Sequence, residues 1–161
     1  MALVLLDKTT NNNDLTNNNS VSESNDTPFA ASTKSADFEN SGGENQFLSI
    51  PDASQTGLDI TGDFTIEAWI KPETISSSSN IITSKFEDDS GNNRAWMFGI
   101  YDSAGTKKLW LRVSSDGTGA GSELEEVTVS IATGTWYHVA TTYDNAGTVK
   151  FYLDGTQVGG D

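Results

Sequence analysis

Two glutamates, Glu123 and Glu125, come closest in type and spacing to an acid–base pair. Alternate side chains of an extended strand share a face, which would place these two residues roughly 7 Å apart at the backbone. Flexible side chains could bring that separation into the range that glycoside hydrolysis uses. Charge on an exposed edge strand explains the same residues. We therefore predict no catalytic residues and keep a glycoside hydrolase as an alternative.

The single histidine, His138, is the other candidate for general-base chemistry. It stands inside an apolar and aromatic strand pattern, and no serine–histidine–aspartate arrangement can be argued around it. We interpret it as a structural or partly exposed strand histidine. The chain contains no GxxxxGK, GxGxxG or HExxH pattern, so phosphate-cradling loops and zinc-protease sites have no support.

Oxygen-rich loops are the candidates for metal binding. Each of two clusters could supply several oxygen ligands within a short flexible span, as Ca²⁺ requires, although neither matches an EF-hand loop. Asn and Asp also accumulate in turns for backbone reasons alone, which is the alternative interpretation. The first cluster is Asp7, Asn11, Asn13 and Asp14, and the second is Glu87, Asp88, Asp89, Asn92 and Asn93.

Aromatic side chains point to a different ligand, because a sugar ring stacks its C–H face on an indole while nearby polar groups bond its hydroxyls. Trp69, Trp96 and Trp110 fall in predicted strands, and Arg94 and Arg112 are near the last two. Alternation places Trp110 and Arg112 on one strand face. We predict ligand contacts at Trp69, Trp96, Trp110 and Arg112. Packing of Trp96 and Trp110 against a covering loop or against each other is the alternative.

Apolar and polar residues that alternate with a period of two predict the strands that position these residues. In Phe64–Lys71 it puts Phe64, Ile66, Ala68 and Ile70 on a core face, and leaves Trp69 on the polar face, where a loop or a ligand must cover it. Nine or ten short strands without an amphipathic helix predict two packed antiparallel sheets. Two hairpins are predicted, Arg94–Tyr101 with Lys107–Ser114 and Trp136–Tyr143 with Thr148–Asp154, each joined by a short Gly-containing loop. Further strands are expected near Leu3–Leu6, Ser35–Glu39, Gln46–Ile50, Asn80–Lys85 and Glu126–Ile131.

Length, charge and cysteine content exclude several classes of function. A chain of 161 residues with a formal charge of −14 is the size of one domain and repels phosphate backbones and anionic membranes, so we predict no nucleic-acid partner and no membrane insertion. The absence of cysteine excludes disulfides and thiol chemistry. The apolar run at residues 2–6 is too short for a signal-peptide core. Export, if it occurs, is expected to come from a longer parent polypeptide or from phage or virus assembly.

Three segments, Asp63–Pro72, Trp136–Asp144 and Val149–Gly155, resemble in order and spacing the laminin-G-like, concanavalin A-like jelly-roll superfamily. The resemblance implies a two-sheet antiparallel jelly-roll sandwich over residues 1–161 as a single domain. It also implies that the polar stretch at residues 10–35, which by composition alone is typical of a linker, is ordered. Calcium held by rim loops is the cofactor that the resemblance implies. Hydrolases of this fold carry a Glu-x-Asp-x-Glu strand, whose central Asp is absent here.

The end of the sequence at Asp161 differs from the family pattern, which continues into further strands. We therefore expect a C-terminally short domain that dimerises or accepts a complementing strand. The leading functional prediction is a non-catalytic module that recognises a glycan or a protein surface, with calcium assistance, in an extracellular, cell-surface or virion-associated protein such as a phage structural protein. The alternative is a structural decoration, fibre or adhesion domain that self-assembles.

Overall fold

The computed structural model describes residues 6–39, 43, 45–86 and 93–160. The chain forms two compact units, Met1–Asp59 and Ile60–Asp161. The first unit contains two antiparallel strand pairs, β1 (Thr16–Asn18) with β4 (Phe47–Ser49) and β2 (Ser22–Ser24) with β3 (Ser35–Asp37). A single 3₁₀ turn, Asp52–Ser54, follows β4.

Side-chain amides order the polar segment of the first unit. The Asn17 amide spans the turn after β1, because its Oδ1 accepts the N–H of Val21 and its Nδ2 donates to the carbonyl of Val21, both at 2.8 Å. Asn13 makes the same two-way pairing with the backbone of Thr56. The amides of these asparagines thus make the hydrogen bonds that the backbone of a neighbouring strand would make. These bonds order a segment that has the composition of a linker, as the resemblance implied.

In the part of the second unit that the structure describes, eight strands form two four-stranded antiparallel sheets. In chain order the strands are β5 (Phe64–Ile70), β6 (Asn80–Phe86), β7 (Arg94–Ser103), β8 (Thr106–Ser114), β9 (Ser122–Val129), β10 (Tyr137–Tyr143), β11 (Val149–Leu153) and β12 (Thr156–Val158). Sheet I has the order β12-β11-β10-β5, and sheet II has the order β6-β7-β8-β9. The all-β antiparallel sandwich predicted from the sequence is confirmed.

The core lies between the two sheets and is filled by alternate residues of each strand. Phe98 and Leu109 from sheet II and Val139 from sheet I are fully buried. The predicted core face of β5 packs against this cluster through Phe64, Ile66, Ala68 and Ile70. Each strand therefore has an inner face, toward the core, and an outer face, which carries the residues at the intervening positions.

Both predicted hairpins are present, and their turns show why the loop residues matter. Ala104 and Gly105 connect β7 to β8 with φ of 52° and 92°, the left-handed values of a two-residue hairpin turn. Asp102 caps this turn by accepting the N–H of Gly105 at 2.6 Å. In the β10–β11 hairpin, Asp144 accepts the N–H groups of Ala146 and Thr148.

Several strand boundaries differ from the prediction. The strand expected at Glu126–Ile131 begins earlier, at Ser122, because the run of charged residues lies on an edge strand where side chains on both faces reach solvent. Leu6 is outside any strand, and the rest of the strand predicted at Leu3–Leu6 lies outside the described residues. The short strands β1, β2 and β12 were not predicted, since three-residue strands carry too little alternation to recognise.

Candidate functional site

The outer face of sheet I carries an exposed indole. Trp69 of β5 is 44% exposed, as the alternation of β5 predicted. Strand register places His138 of β10 directly opposite it, and Glu67 lies two residues earlier on β5. On β11, Tyr152 is in register with Ala140, which itself pairs with Glu67. We call this surface the Trp69 face: Thr65, Glu67, Trp69, His138, Ala140, Thr142, Lys150 and Tyr152.

Three side chains at one end of the Trp69 face contact one another. The rings of Trp69 and His138 lie 5.3 Å apart between centroids and are tilted by 52°. The Nε2 atom of His138 is 3.2 Å from a carboxylate oxygen of Glu67. When Nε2 carries a proton it donates to that oxygen, which orients the imidazole beside the indole. The group therefore offers a ligand an apolar ring face next to a hydrogen-bond acceptor.

The other end of the same face is a shallow cavity of about 400 Å³. Its walls carry threonine hydroxyls and one lysine, and the rings of Phe64 and Tyr143 stack there at 5.2 Å between centroids. The backbone N–H of Thr148 donates to Asp144 and lowers the pKa of that carboxyl, so it is ionised at neutral pH. The lining residues are Asp63, Phe64, Thr65, Thr142, Tyr143, Asp144, Thr148 and Lys150.

The two ends are close enough for one extended ligand. His138 and Thr142 stand four residues apart on β10, about 13 Å along the strand. Ala140 lies between them, and its small side chain is flanked in register by Glu67 and Tyr152. The Trp69 face thus combines an aromatic platform with a row of hydroxyl and charged groups, the combination that binds polar, ring-shaped ligands.

Trp96 does not join this face, which corrects the ligand contact predicted for it. Trp96 is 8% exposed and lies on the inner face of sheet II, opposite Val113, because it alternates in phase with Phe98 and Ile100. Its ring centroid is 6.5 Å from that of Phe64. Trp96 is a core residue.

Trp110 and Arg112 do share the outer face of sheet II, as predicted, but Trp110 is not open for stacking. It is 5% exposed, and its indole lies against Gly99, where an added Cβ would stand 2.6 Å from the indole Cζ2 atom. Trp96 and Trp110 are on opposite faces of the sheet, so they do not pack against each other across the hairpin. The Arg112 guanidinium carbon lies 5.9 Å from the Phe86 ring centroid.

Glu123 and Glu125 both lie on β9, which ends the hydrogen-bonded order of sheet II, and both are exposed. Glu123 lines a space of about 200 Å³ beside the β10–β11 turn. The neighbouring Glu126 accepts hydrogen bonds from Lys108 and from Tyr101, which lower its pKa. A general acid requires the opposite shift, so Glu126 is not suited to that role.

The first predicted calcium cluster is engaged in turn hydrogen bonds. The carboxylate of Asp7 accepts the N–H groups of Asn13 and Thr9, which lower its pKa, and Asp14 accepts the N–H of Asp7 at 2.7 Å. The backbone N–H of Asn11 donates to the Thr9 hydroxyl. These hydrogen bonds account for the local accumulation of Asp and Asn in a turn, and calcium binding at this cluster stays a prediction. Asp88 and Asp89 of the second cluster lie outside the described residues.

Sequence reasoning placed Trp69 on the outer face of β5 but missed its pairing with His138. The alternation of β5 already placed Thr65 and Glu67 on the same face as Trp69. The pairing of Trp69 with His138 depends on the register between β5 and β10, strands separated by four others along the chain, and no local pattern encodes that register.

Comparison with known proteins agrees with this architecture. The family model of the concanavalin A-like lectin/glucanase superfamily, of the laminin G type, matches residues 41–161, more than half of the chain. No curated protein matches the chain. None of the described helices is long and apolar enough to cross a membrane. Domains of this kind are carbohydrate- or protein-binding modules, and the superfamily also contains glycosidases. The chain belongs to the concanavalin A-like lectin/glucanase superfamily.

Proposed function

We propose that the chain is a non-catalytic module that binds a glycan on the Trp69 face. The observation that carries the proposal is the 44% exposure of Trp69 on a face where burial would favour a residue of this size. A sugar ring matches the exposed part of the indole, because its C–H face is apolar while its hydroxyls need polar partners.

The neighbours of Trp69 supply those polar partners. Glu67 offers an acceptor beside the indole, and its contact with His138 holds both side chains near the ring. The hydroxyls of Thr65 and Thr142 lie further along the face. A flat protein–protein contact would favour a larger apolar patch around the tryptophan, whereas the described residues beside Trp69 are mostly polar.

The absence of catalysis is part of the proposal. It is supported by the exposed edge position of Glu123 and Glu125 and by the downward pKa shift of Glu126, because a general acid needs a raised pKa. Turnover of a polysaccharide that is lost on changing Glu123→Gln or Glu125→Gln would contradict it. Calcium assistance and a place in a cell-surface or phage structural protein stay predictions.

A glycan array with and without added calcium tests the proposal. We expect the wild-type chain to bind a limited set of glycans and Trp69→Ala to lose that binding by at least tenfold. The matched control is Leu124→Ala, which removes an equally exposed apolar side chain, 50% exposed, from sheet II. Equal binding by wild type and Trp69→Ala, or equal loss in both variants, would refute the Trp69 face as the site.

A self-assembling structural domain is the second candidate, and one observation favours it. Strands β5 and β12 end the hydrogen-bonded order of sheet I, and such edges can pair with another chain. Sedimentation velocity over a range of concentrations separates the two functions. A stable monomer that binds glycans supports the module, whereas concentration-dependent association without any glycan binding supports self-assembly.

A further inference from the structure

The space of about 200 Å³ beside the β10–β11 turn lies where the core reaches the end of the two sheets. Part of its wall is apolar, because Val113 of β8 and Tyr143 of β10 pack against the core cluster. Other lining residues carry a carboxylate, an amide and a hydroxyl. We call this space the end cavity, and its lining residues are Val113, Ser115, Gly121, Glu123, Tyr143, Asn145, Ala146 and Gly147.

One charged side chain lines the end cavity among the described residues. Glu123 is in register with Val113, which places it on the inner face of β9. The same face of β9 carries Val127 and Val129 toward the core. Within the described part of the chain, neither a hydrogen bond nor an ion pair engages the carboxylate of Glu123. An inward carboxylate at the end of the core therefore lacks a cation from the described chain to balance it.

Hydrogen bonds fix the two loops that border the end cavity. In the β10–β11 turn, the backbone N–H of Asn145 donates to the carboxylate of Asp63 at 2.9 Å. In the β8–β9 loop, the carboxylate of Asp116 accepts the backbone N–H of Thr118 at 2.8 Å. The aspartates beside the cavity are thus engaged with N–H groups of their own loops, whereas the carboxylate of Glu123 is available to a ligand.

We propose that the end cavity binds an aliphatic primary ammonium group, such as a lysine side chain or a free diamine. The carbon stem of such a cation packs on Val113 and Tyr143 while its ammonium group pairs with Glu123. The hydroxyl of Ser115 and the amide oxygen of Asn145 can accept its remaining N–H groups. Drug-sized ligands occupy about 300–1,000 Å³, so a space of about 200 Å³ suits a short chain.

The charge of the whole chain favours the same class of ligand, because a net charge of −14 attracts cations. The end cavity shares Tyr143, and no other lining residue, with the cavity of the Trp69 face. The ammonium site therefore does not depend on the proposed glycan site.

Amide NMR titration at low ionic strength tests the proposal with three probes of similar shape: n-butylammonium, n-butanol and butyrate. We expect n-butylammonium to shift the signals of Gly121, Ala146 and Gly147, with an affinity that falls as sodium chloride is added. The neutral and anionic probes should bind at least about fivefold more weakly, because they lack the ion pair. Equal binding of n-butanol, or no shift with n-butylammonium in the millimolar range, would overturn the proposal.

Two further probes distinguish the sources of the ammonium group. Nα-acetyl-lysine amide represents a lysine of a peptide, and putrescine represents a free diamine. Tighter binding of either probe at the same signals supports the site and identifies its occupant. Binding of neither probe would overturn the proposal.

Glu123→Gln and Glu125→Gln form a matched pair of variants. Both remove one charge from an exposed position on the same face of β9, but Glu125 is not among the residues that line the end cavity. Glu123→Gln should weaken n-butylammonium binding about fivefold, whereas Glu125→Gln should bind as wild type. If inward charges on this edge strand only discourage pairing with another chain, the two variants should behave alike. Unchanged affinity in Glu123→Gln, or an equal loss in Glu125→Gln, would overturn the assignment.

Discussion

The outer faces of the two sheets each carry a tryptophan, yet the two indoles have opposite surroundings. Trp69 on sheet I is opposite His138, with the two rings tilted by 52°, and it is 44% exposed on a strand that ends the sheet. Trp110 on sheet II is opposite Gly99, which has no side chain, so the indole lies against the strand and is 5% exposed. The strand pattern alone does not distinguish the two indoles, which differ in the residue opposite them and in the position of their strand in the sheet.

Replacing each tryptophan by alanine gives the largest contrast between the faces. Trp110→Ala should lower the free energy of unfolding by about 3–5 kcal/mol, because it leaves a cavity where a buried indole was packed. Trp69→Ala should change it by less than about 1 kcal/mol, since nearly half of the residue is already exposed. Urea unfolding followed by far-UV circular dichroism measures both. Similar losses in the two variants would contradict the contrast.

Filling the space at Gly99 tests the same packing from the other strand. Gly99→Ala would place a Cβ 2.6 Å from the indole of Trp110 and 2.7 Å from the backbone carbonyl of Asn80, and the backbone atom cannot move aside cheaply. We expect a loss of about 1–3 kcal/mol in unfolding free energy.

Gly62→Ala is the matched control for Gly99→Ala, because a Cβ at Gly62 would meet nothing within 4 Å. It should leave the thermal midpoint near that of wild type. An unchanged midpoint in Gly99→Ala would show that Trp110 does not rest on this glycine.

The contacts of Glu126 with Lys108 and Tyr101 on sheet II should make the free energy of unfolding sensitive to acid. Hydrogen bonds from Lys108 and Tyr101 hold the pKa of Glu126 below its ordinary value of 4.5. A carboxyl with a lowered pKa in the folded state stabilises the fold above that ordinary value, and the stabilisation is lost as the pH falls through the lowered pKa. Because the pair is about a third exposed, the effect should stay below about 1 kcal/mol.

Comparison of Glu126→Gln with wild type measures this contribution. The difference in unfolding free energy should be fully present above the ordinary value of 4.5 and should be lost as the pH falls through the lowered pKa of Glu126. A difference that is constant over this range would assign the effect to packing instead of charge.

The contact between Glu67 and His138 on sheet I should have the smallest effect on stability. Glu67→Gln removes a charge at an exposed position, 68% accessible, so unfolding should change by no more than about 0.5 kcal/mol. Glycan binding on the Trp69 face should weaken more than stability does, because Glu67 is the acceptor beside the indole. Binding equal to wild type would remove Glu67 from the proposed site.

Sequence patterns predicted most of the second unit but few of its pairings. The alternation in β5 identified both the core face and the outward Trp69, and the Gly-containing loops identified both hairpins, because each of these features is local. The ligand contact predicted for Trp96 was wrong, because Trp96 alternates in phase with Phe98 and Ile100 and lies with them on the core face. The prediction that residues 10–35 are ordered required the family resemblance. Hydrogen bonds from asparagine amides to the backbone order this segment, and they leave no apolar pattern in the sequence.

The sequence by itself determined the fold class, the two hairpins, the strongly acidic character and the chemical inventory: no cysteine, one histidine and two arginines. Only the tertiary structure decided which of these groups meet. It paired His138 with Trp69, set Trp110 on Gly99 and brought both arginines to Phe86. The physical reason is that a strand's faces follow from a period of two residues within one segment, whereas its neighbours follow from the register between segments far apart in the chain.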